Sequence, residues 1–185
     1  DKIGVSASFA DTDNDRDPDL FVTTVRGGNH FFRNDGQGQF VDETKSSGLG
    51  YVGHSSSGVF FDYDKDGLLD LFLCNVGKYT TDEKGAGGYC VGFSDAFEGH
   101  KEGKGRKERS ILYRNQGGNR FEDVSEKTGL VDESWTGDAA PFDYDGDGWT
   151  ELYVLSMQGH DEIYRNVGGA RFEKVSRRVF PRTSW

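Results

Sequence analysis

Carboxylates recur three times in this chain at one spacing: Asp11, Asp13, Asp15 and Asp19; Asp62, Asp64, Asp66 and Asp70; Asp143, Asp145, Asp147 and Glu151. Each set occupies relative positions 1, 3, 5 and 9, so a segment coiled round a point turns four oxygen-bearing side chains inward. Left unneutralised, groups that close repel one another strongly in a folded chain, and no basic side chain recurs at a fixed place in all three loops to offset them. The pattern therefore calls for a hard cation. Calcium, which takes six to eight oxygens in a flexible shell, is the expected one, with up to three sites. A lone Asp-Gly turn is usually a solvated hairpin tip, but a fourfold acid pattern kept three times ahead of an apolar strand is not explained that way.

These loops are not EF-hands. An EF-hand needs a bidentate Glu at position 12 and flanking helices, whereas position 12 here is Val22, Leu73 or Val154. The segments that follow, Leu20 to Thr24, Leu71 to Cys74 and Leu152 to Leu155, are rich in the β-branched and aromatic residues that suit a pleated, half-buried surface. The loops are thus expected to join strands, with the position-9 acid closing the site and the position-7 carbonyl of Asp17, Leu68 or Trp149 as the backbone ligand. Gly67 and Gly148 stand at position 6, where the chain turns sharply and a missing Cβ avoids strain. Arg16 stands there in the first loop, which is accordingly expected to be the weakest or most distorted site, or empty.

A second motif follows each loop: Phe32-Arg33-Asn34-Asp35-Gly36 before Phe40, Tyr113-Arg114-Asn115-Gln116-Gly117 before Phe121, and Tyr164-Arg165-Asn166-Val167-Gly168 before Phe172. Its Asn and Gly suit a tight turn between two short strands. First acid to Asn spans 23 residues in copies one and three but 53 in copy two, so copy two carries an insertion of 30 residues; without it the period is 51. Copy three shows four strand-like stretches: Gly137 to Phe142, Thr150 to Leu155, Glu162 to Arg165 and Arg171 to Val175. No comparable stretch carries sustained helical periodicity. The expected fold is all-β, built of four-stranded antiparallel propeller blades. Repeat one covers 1–50, repeat two 51–131 with its insertion near 77–109, and repeat three 132–181. Ser184-Trp185 repeats Ser134-Trp135, so 182–185 reads as the start of a further copy. Three blades do not close a ring of four to eight, and further blades are expected from the same protein or another chain.

On these motifs the whole chain resembles the FG-GAP or VCBS repeats, the calcium-binding blades also found in the integrin alpha-subunit propeller. The stretch Gly53-His54-Ser55-Ser56-Ser57-Gly58 through Phe61-Asp62-Tyr63-Asp64-Lys65-Asp66-Gly67 to Asn75-Val76, with the insertion ending in Leu112-Tyr113-Arg114-Asn115, looks most like the bacterial relatives of cartilage acidic protein. The resemblance implies a secreted, periplasmic or surface propeller, usually of seven blades, that uses calcium for rigidity and serves adhesion or ligand binding. Arg16, Glu151 and Val167 depart from the repeat pattern.

The net charge of −10 leaves no basic face for nucleic acid, and three calcium ions would neutralise more than half of it. No apolar run reaches the length of a membrane span, and no signal peptide is present, although the chain begins inside a repeat. Calcium sites of modest affinity work where calcium is about millimolar, which favours export. Cys74 and Cys90 leave two readings open: a disulfide tethering the insertion, or a small buried apolar residue and a free thiol. The tip of the insertion, Lys101-Glu102-Gly103-Lys104-Gly105-Arg106-Lys107, reads either as a contact for an acidic partner or polysaccharide, or as a solvated loop.

Catalysis is not expected. The four histidines form no zinc spacing, and His54 beside Ser55 on a strand points to the opposite face. Two functional expectations follow: a non-catalytic calcium-rigidified module for protein or glycan ligands, or an accessory propeller of a larger secreted enzyme acting on a polysaccharide or other polymer.

Overall fold

The computed structural model describes residues 3–94, 106–157 and 160–181. Its framework is three four-stranded antiparallel sheets, each a meander in chain order. Sheet one holds β1 (Ile3–Ala10), β2 (Asp19–Val25), β3 (His30–Asn34) and β4 (Phe40–Asp42). Sheet two holds β5 (Ser55–Phe61), β6 (Asp70–Asn75), β9 (Ile111–Asn115) and β10 (Phe121–Asp123). Between β6 and β9 the insertion forms a separate hairpin, β7 (Thr80–Lys84) with β8 (Cys90–Gly92). Sheet three holds β11 (Thr136–Phe142), β12 (Glu151–Ser156), β13 (Glu162–Val167) and β14 (Arg171–Lys174). The strands expected in copy three are all present, with ends within two residues of those read from sequence.

Each sheet leads on to a single helical turn: α1 (Thr44–Ser47), α2 (Ser125–Thr128) and α3 (Ser176–Val179). The first two end at left-handed glycines, Gly48 and Gly129, which turn the chain back so that Leu49 and Leu130 are buried against the sheets. Among the described residues no helix is long and apolar enough to cross a membrane.

The sheets stack face to face through two apolar layers. Phe21, Phe31 and Leu49 of the first repeat pack with Leu71, Leu73, Ile111, Tyr113 and Phe121 of the second. Phe72, Cys74, Leu112 and Leu130 of the second pack with Leu152, Val154, Tyr164 and Phe172 of the third. Successive β6 residues serve alternate layers, which follows from the two-residue period of a strand, and all six are buried. The first strands lie side by side and are stitched by hydroxyls. Ser8 Oγ donates to the Gly58 carbonyl at 2.7 Å, and Ser56 Oγ donates to the Thr136 carbonyl at 2.6 Å.

Cys74 and Cys90 are both free thiols, so the open question of a bridge resolves to the buried apolar residue and the separate thiol. The insertion is instead held at both ends by His54. Its Nδ1 lies 3.0 Å from Glu108 Oε1 and its Nε2 lies 2.8 Å from Thr80 Oγ1. Ser55 Oγ is engaged elsewhere, donating to Asn75 Oδ1 and accepting from Asn29 Nδ2. Of the basic tip, residues 101–105 lie outside the described residues, as does the stretch 182–185 read as a further repeat.

Candidate metal centres

The three acidic loops share one backbone design. Each runs from the end of a first strand to the start of the second, and the pairs Ala10 with Asp19, Phe61 with Asp70 and Phe142 with Glu151 close it. Positions 4 and 6 are left-handed in every copy: Asn14 and Arg16, Lys65 and Gly67, Gly146 and Gly148. Arg16, at φ +76°, therefore takes the conformation of Gly67 (+85°) and Gly148 (+84°), and the first loop is not distorted there. Position 4 carries the same demand, which the sequence reading did not single out.

Carboxylates within each loop fold it round a centre. The position-6 N–H donates to an oxygen of the position-1 acid, at 2.9 Å on Asp11, 3.0 Å on Asp62 and 2.9 Å on Asp143. The position-7 N–H donates to Oδ1 of the position-5 acid, at 2.9 Å on Asp15, 3.0 Å on Asp66 and 2.9 Å on Asp147. In the first two loops one oxygen each from Asp11, Asp13 and Asp15, and from Asp62, Asp64 and Asp66, lies within 4.8 Å of the others. In the third the group is Asp143, Asp145 and Glu151.

The position-9 acids divide. All three are buried, and each ties its loop to the Asn of the following hairpin. Asp70 accepts from Tyr63 N–H at 3.1 Å and Asn115 N–H at 2.8 Å; Asp19 accepts from Thr12 N–H at 3.2 Å and Asn34 N–H at 2.9 Å. Glu151 accepts from Tyr144 N–H at 3.0 Å and more distantly from Asn166 N–H at 3.4 Å. Its extra methylene lets it reach the cluster in loop three, where Asp19 and Asp70 do not join theirs. Asp17 and Asp147 also stay outside these groups.

The arrangement fits an oxygen-coordinated cation. Oxygens bound at 2.3–2.6 Å on opposite sides of a calcium ion stand about 5 Å apart, close to the spread found here. Asp13 Oδ1, Asp62 Oδ1 and Asp64 Oδ1 are buried without a hydrogen-bond partner, a costly state unless something positive faces them. Burial, then the neighbouring acids, raise the pKa of Asp13. Burial likewise raises Glu151 and pushes Asp70 up to about 7.

No basic side chain recurs at a fixed place within the three loops, but two of the loops receive one from the hairpin that follows. Arg114 Nε and an NH2 nitrogen donate to Oδ2 of Asp64 at 2.6 Å and of Asp66 at 2.9 Å. Arg165 does the same to Asp145 and Asp147 at 3.0 and 3.1 Å. Both come from the hairpin motif rather than the loop, so spacing within the loop did not show them. The signal was in the sequence nonetheless, as the Arg before each hairpin Asn.

Blade-like four-stranded sheets, each with an acidic loop between its first two strands that could hold a metal ion, define a class of β-repeat protein. The chain belongs to the FG-GAP-like repeat family, whose sequence model matches residues 11–73 and 143–185, more than half of its length. No curated protein matches the chain.

Proposed function

We propose that this chain is a calcium-rigidified, non-catalytic binding module of an exported β-propeller. The observation that carries the reading is the repeated carboxylate scaffold with buried, unpartnered oxygens on Asp13, Asp62 and Asp64. The position-1 and position-3 acids would hold the ion, with Asp15 and Asp66 completing the carboxylate set in the first two loops and Glu151 in the third, joined by the position-7 carbonyls of Asp17, Leu68 and Trp149. Bound calcium supplies charge neutralisation, and the loops then fix the angle between the first two strands of each sheet. At a dissociation constant of roughly 0.1 mM, about 1 mM calcium would stabilise the fold by around 1.4 kcal/mol per site. That concentration belongs outside the cytosol, which supports export. Within the family, the Gly53 to Asn75 stretch and its insertion support a place among the bacterial relatives of cartilage acidic protein.

A protein or glycan ligand would engage loops at the edge of the blades. A cleft of about 600 Å³ lies between the inserted hairpin and the first sheet and is lined by Val25, Arg26, Thr80, Asp82, Tyr89 and Cys90 among others. Arg26 there is ion-paired with Asp82, and Tyr89 is exposed, which suits a polar ligand with one flat face. The outer faces of the first and third sheets would be covered by the remaining blades.

Calorimetric titration with calcium, together with melting in calcium and in chelator, tests the reading. Calcium should raise the melting temperature by several degrees. Asp62→Ala and Asp143→Ala should each remove one site's share of that shift, and Asp11→Ala should remove less. A flat titration with identical melting in chelator defeats the proposal.

A further inference from the structure

The hairpin arginines are used alike in two repeats and differently in the third. Arg114 and Arg165 each lay a two-pronged guanidinium across the position-3 and position-5 acids, on the same oxygens and through the same nitrogens. Arg33 stands at the matching place in the first repeat but turns to Glu43, its Nε 2.9 Å from Oε1. At the position of Glu43 the other repeats carry Val124 and Val175, which offer a guanidinium no partner. Asp13 of loop one receives instead a neutral donor from the next repeat, Asn119 Nδ2 to Asp13 Oδ2 at 3.0 Å.

We propose that Arg114 and Arg165 are positioning residues for the cation sites, each clamping the position-3 and position-5 acids from outside so that the other oxygen of the position-3 acid, Asp64 or Asp145, faces the ion, and that Glu43 withholds this clamp from loop one. The proposal rests on the calcium reading above. The choice of oxygens argues for a clamp rather than a rival cation. In loop two Arg114 takes Oδ2 of Asp64, while Oδ1 of the same residue is buried and unpartnered. Asp66 is fixed through both oxygens, Oδ2 by Arg114 and Oδ1 by Leu68 N–H. The guanidinium fork matches two carboxylates in a way a lysine ammonium does not. Such outer partners orient the ligands that touch a metal and commonly govern its affinity by 10–100-fold.

The test is a calcium titration of the full chain by calorimetry, with terbium emission sensitised by Trp149 as a reporter on loop three. Arg165→Gln and Arg165→Lys should both weaken loop three about tenfold or more, the Lys variant because it keeps the charge and loses the fork. Glu43→Gln should free Arg33 and tighten loop one several-fold while leaving loop three unchanged; it does not depend on a loss that unfolding could mimic. A Lys variant that binds like the wild type, a Gln variant that binds more tightly, or a Glu43→Gln protein with unchanged loop one overturns the clamp. If the wild type binds calcium and the variants match it, only the clamp falls. If the wild type takes up neither calcium nor terbium, the calcium reading falls and takes the clamp with it.

Discussion

A carboxylate sealed from solvent favours its neutral form unless a charge answers it, and Asp70 shows the consequence. Burial, reinforced by Asp64 and Asp66, pushes its pKa up to about 7 despite the N–H donors of Asn115 and Tyr63, against about 3.9 in an unfolded chain. A raised value means that the folded state holds the proton more tightly. The resulting stability is fully present below about pH 4 and is lost as pH rises through 7. Calcium-free protein should therefore gain stability from this group between pH 8 and pH 6, whereas a bound cation favours the ionised form. The melting increment that calcium confers should shrink over the same interval. Scanning calorimetry at pH 8, 7 and 6, with calcium and with chelator, checks this; equal increments at every pH count against it. Arg16 makes a second residue-scale case. Holding a side chain in the left-handed region costs roughly 1–2 kcal/mol, and glycine returns part of that through its freer unfolded state. Arg16→Gly should stabilise the fold by up to about 1 kcal/mol in urea denaturation, and a loss of stability would show that the arginine side chain does something the loop geometry does not reveal.

At the scale of the element, the hairpin between the third and fourth strands is also the joint between repeats. Asn115 Nδ2 donates to Leu69 O in its own repeat at 3.1 Å and to Thr12 O in the preceding loop at 2.7 Å, while its Oδ1 accepts from Gly117 N–H at 2.9 Å. Asn166 repeats the bridge to Thr150 O and Tyr63 O at 3.1 and 2.8 Å. Asn34 reaches Pro18 O at 3.2 Å and is half-buried. Truncation leaves buried carbonyls unanswered, so Asn115→Ala or Asn166→Ala should cost about 2–4 kcal/mol, and Asn34→Ala about 1 kcal/mol; equal costs in urea denaturation would remove the inter-repeat contact as the cause. The sequence showed these asparagines only as turn residues, because the partner carbonyl lies 103 residues away in each bridge and no local pattern encodes it. The Arg before each hairpin Asn was visible in the sequence, but its pairing with loop acids 50 residues away for Arg114 and 20 for Arg165 was not. What was legible is local: the acid spacing placed each loop between its first two strands, and the Asn-Gly motif placed the hairpin. The helical turns at Thr44–Ser47, Ser125–Thr128 and Ser176–Val179 are too short to show a 3.6-residue period.

Across the whole molecule, the second repeat offers one face to the first and the other to the third. Phe60 and Phe121 of the second sheet lie in or against the layer shared with the first, where Phe21 meets Phe60 and Phe31 meets Phe121 edge to face at 6.3 and 6.0 Å. The corresponding residues of the first sheet are Phe9 and Phe40, and none of the described residues buries them. They are 62% and 44% exposed and touch each other at 6.5 Å. Physically this is an interior surface facing solvent, and apolar surface of that kind drives association. If the repeats are equivalent, the same aromatic must be worth different amounts in the two sheets. Phe121→Ser should destabilise the chain by on the order of 3 kcal/mol. Phe9→Ser with Phe40→Ser should change its own stability by less than about 1 kcal/mol, because little area is withdrawn from water there. Sedimentation of the same double variant should show less self-association than the parent chain. A double variant as unstable as Phe121→Ser would mean that the first sheet already uses this face, and that it is not waiting for a further blade.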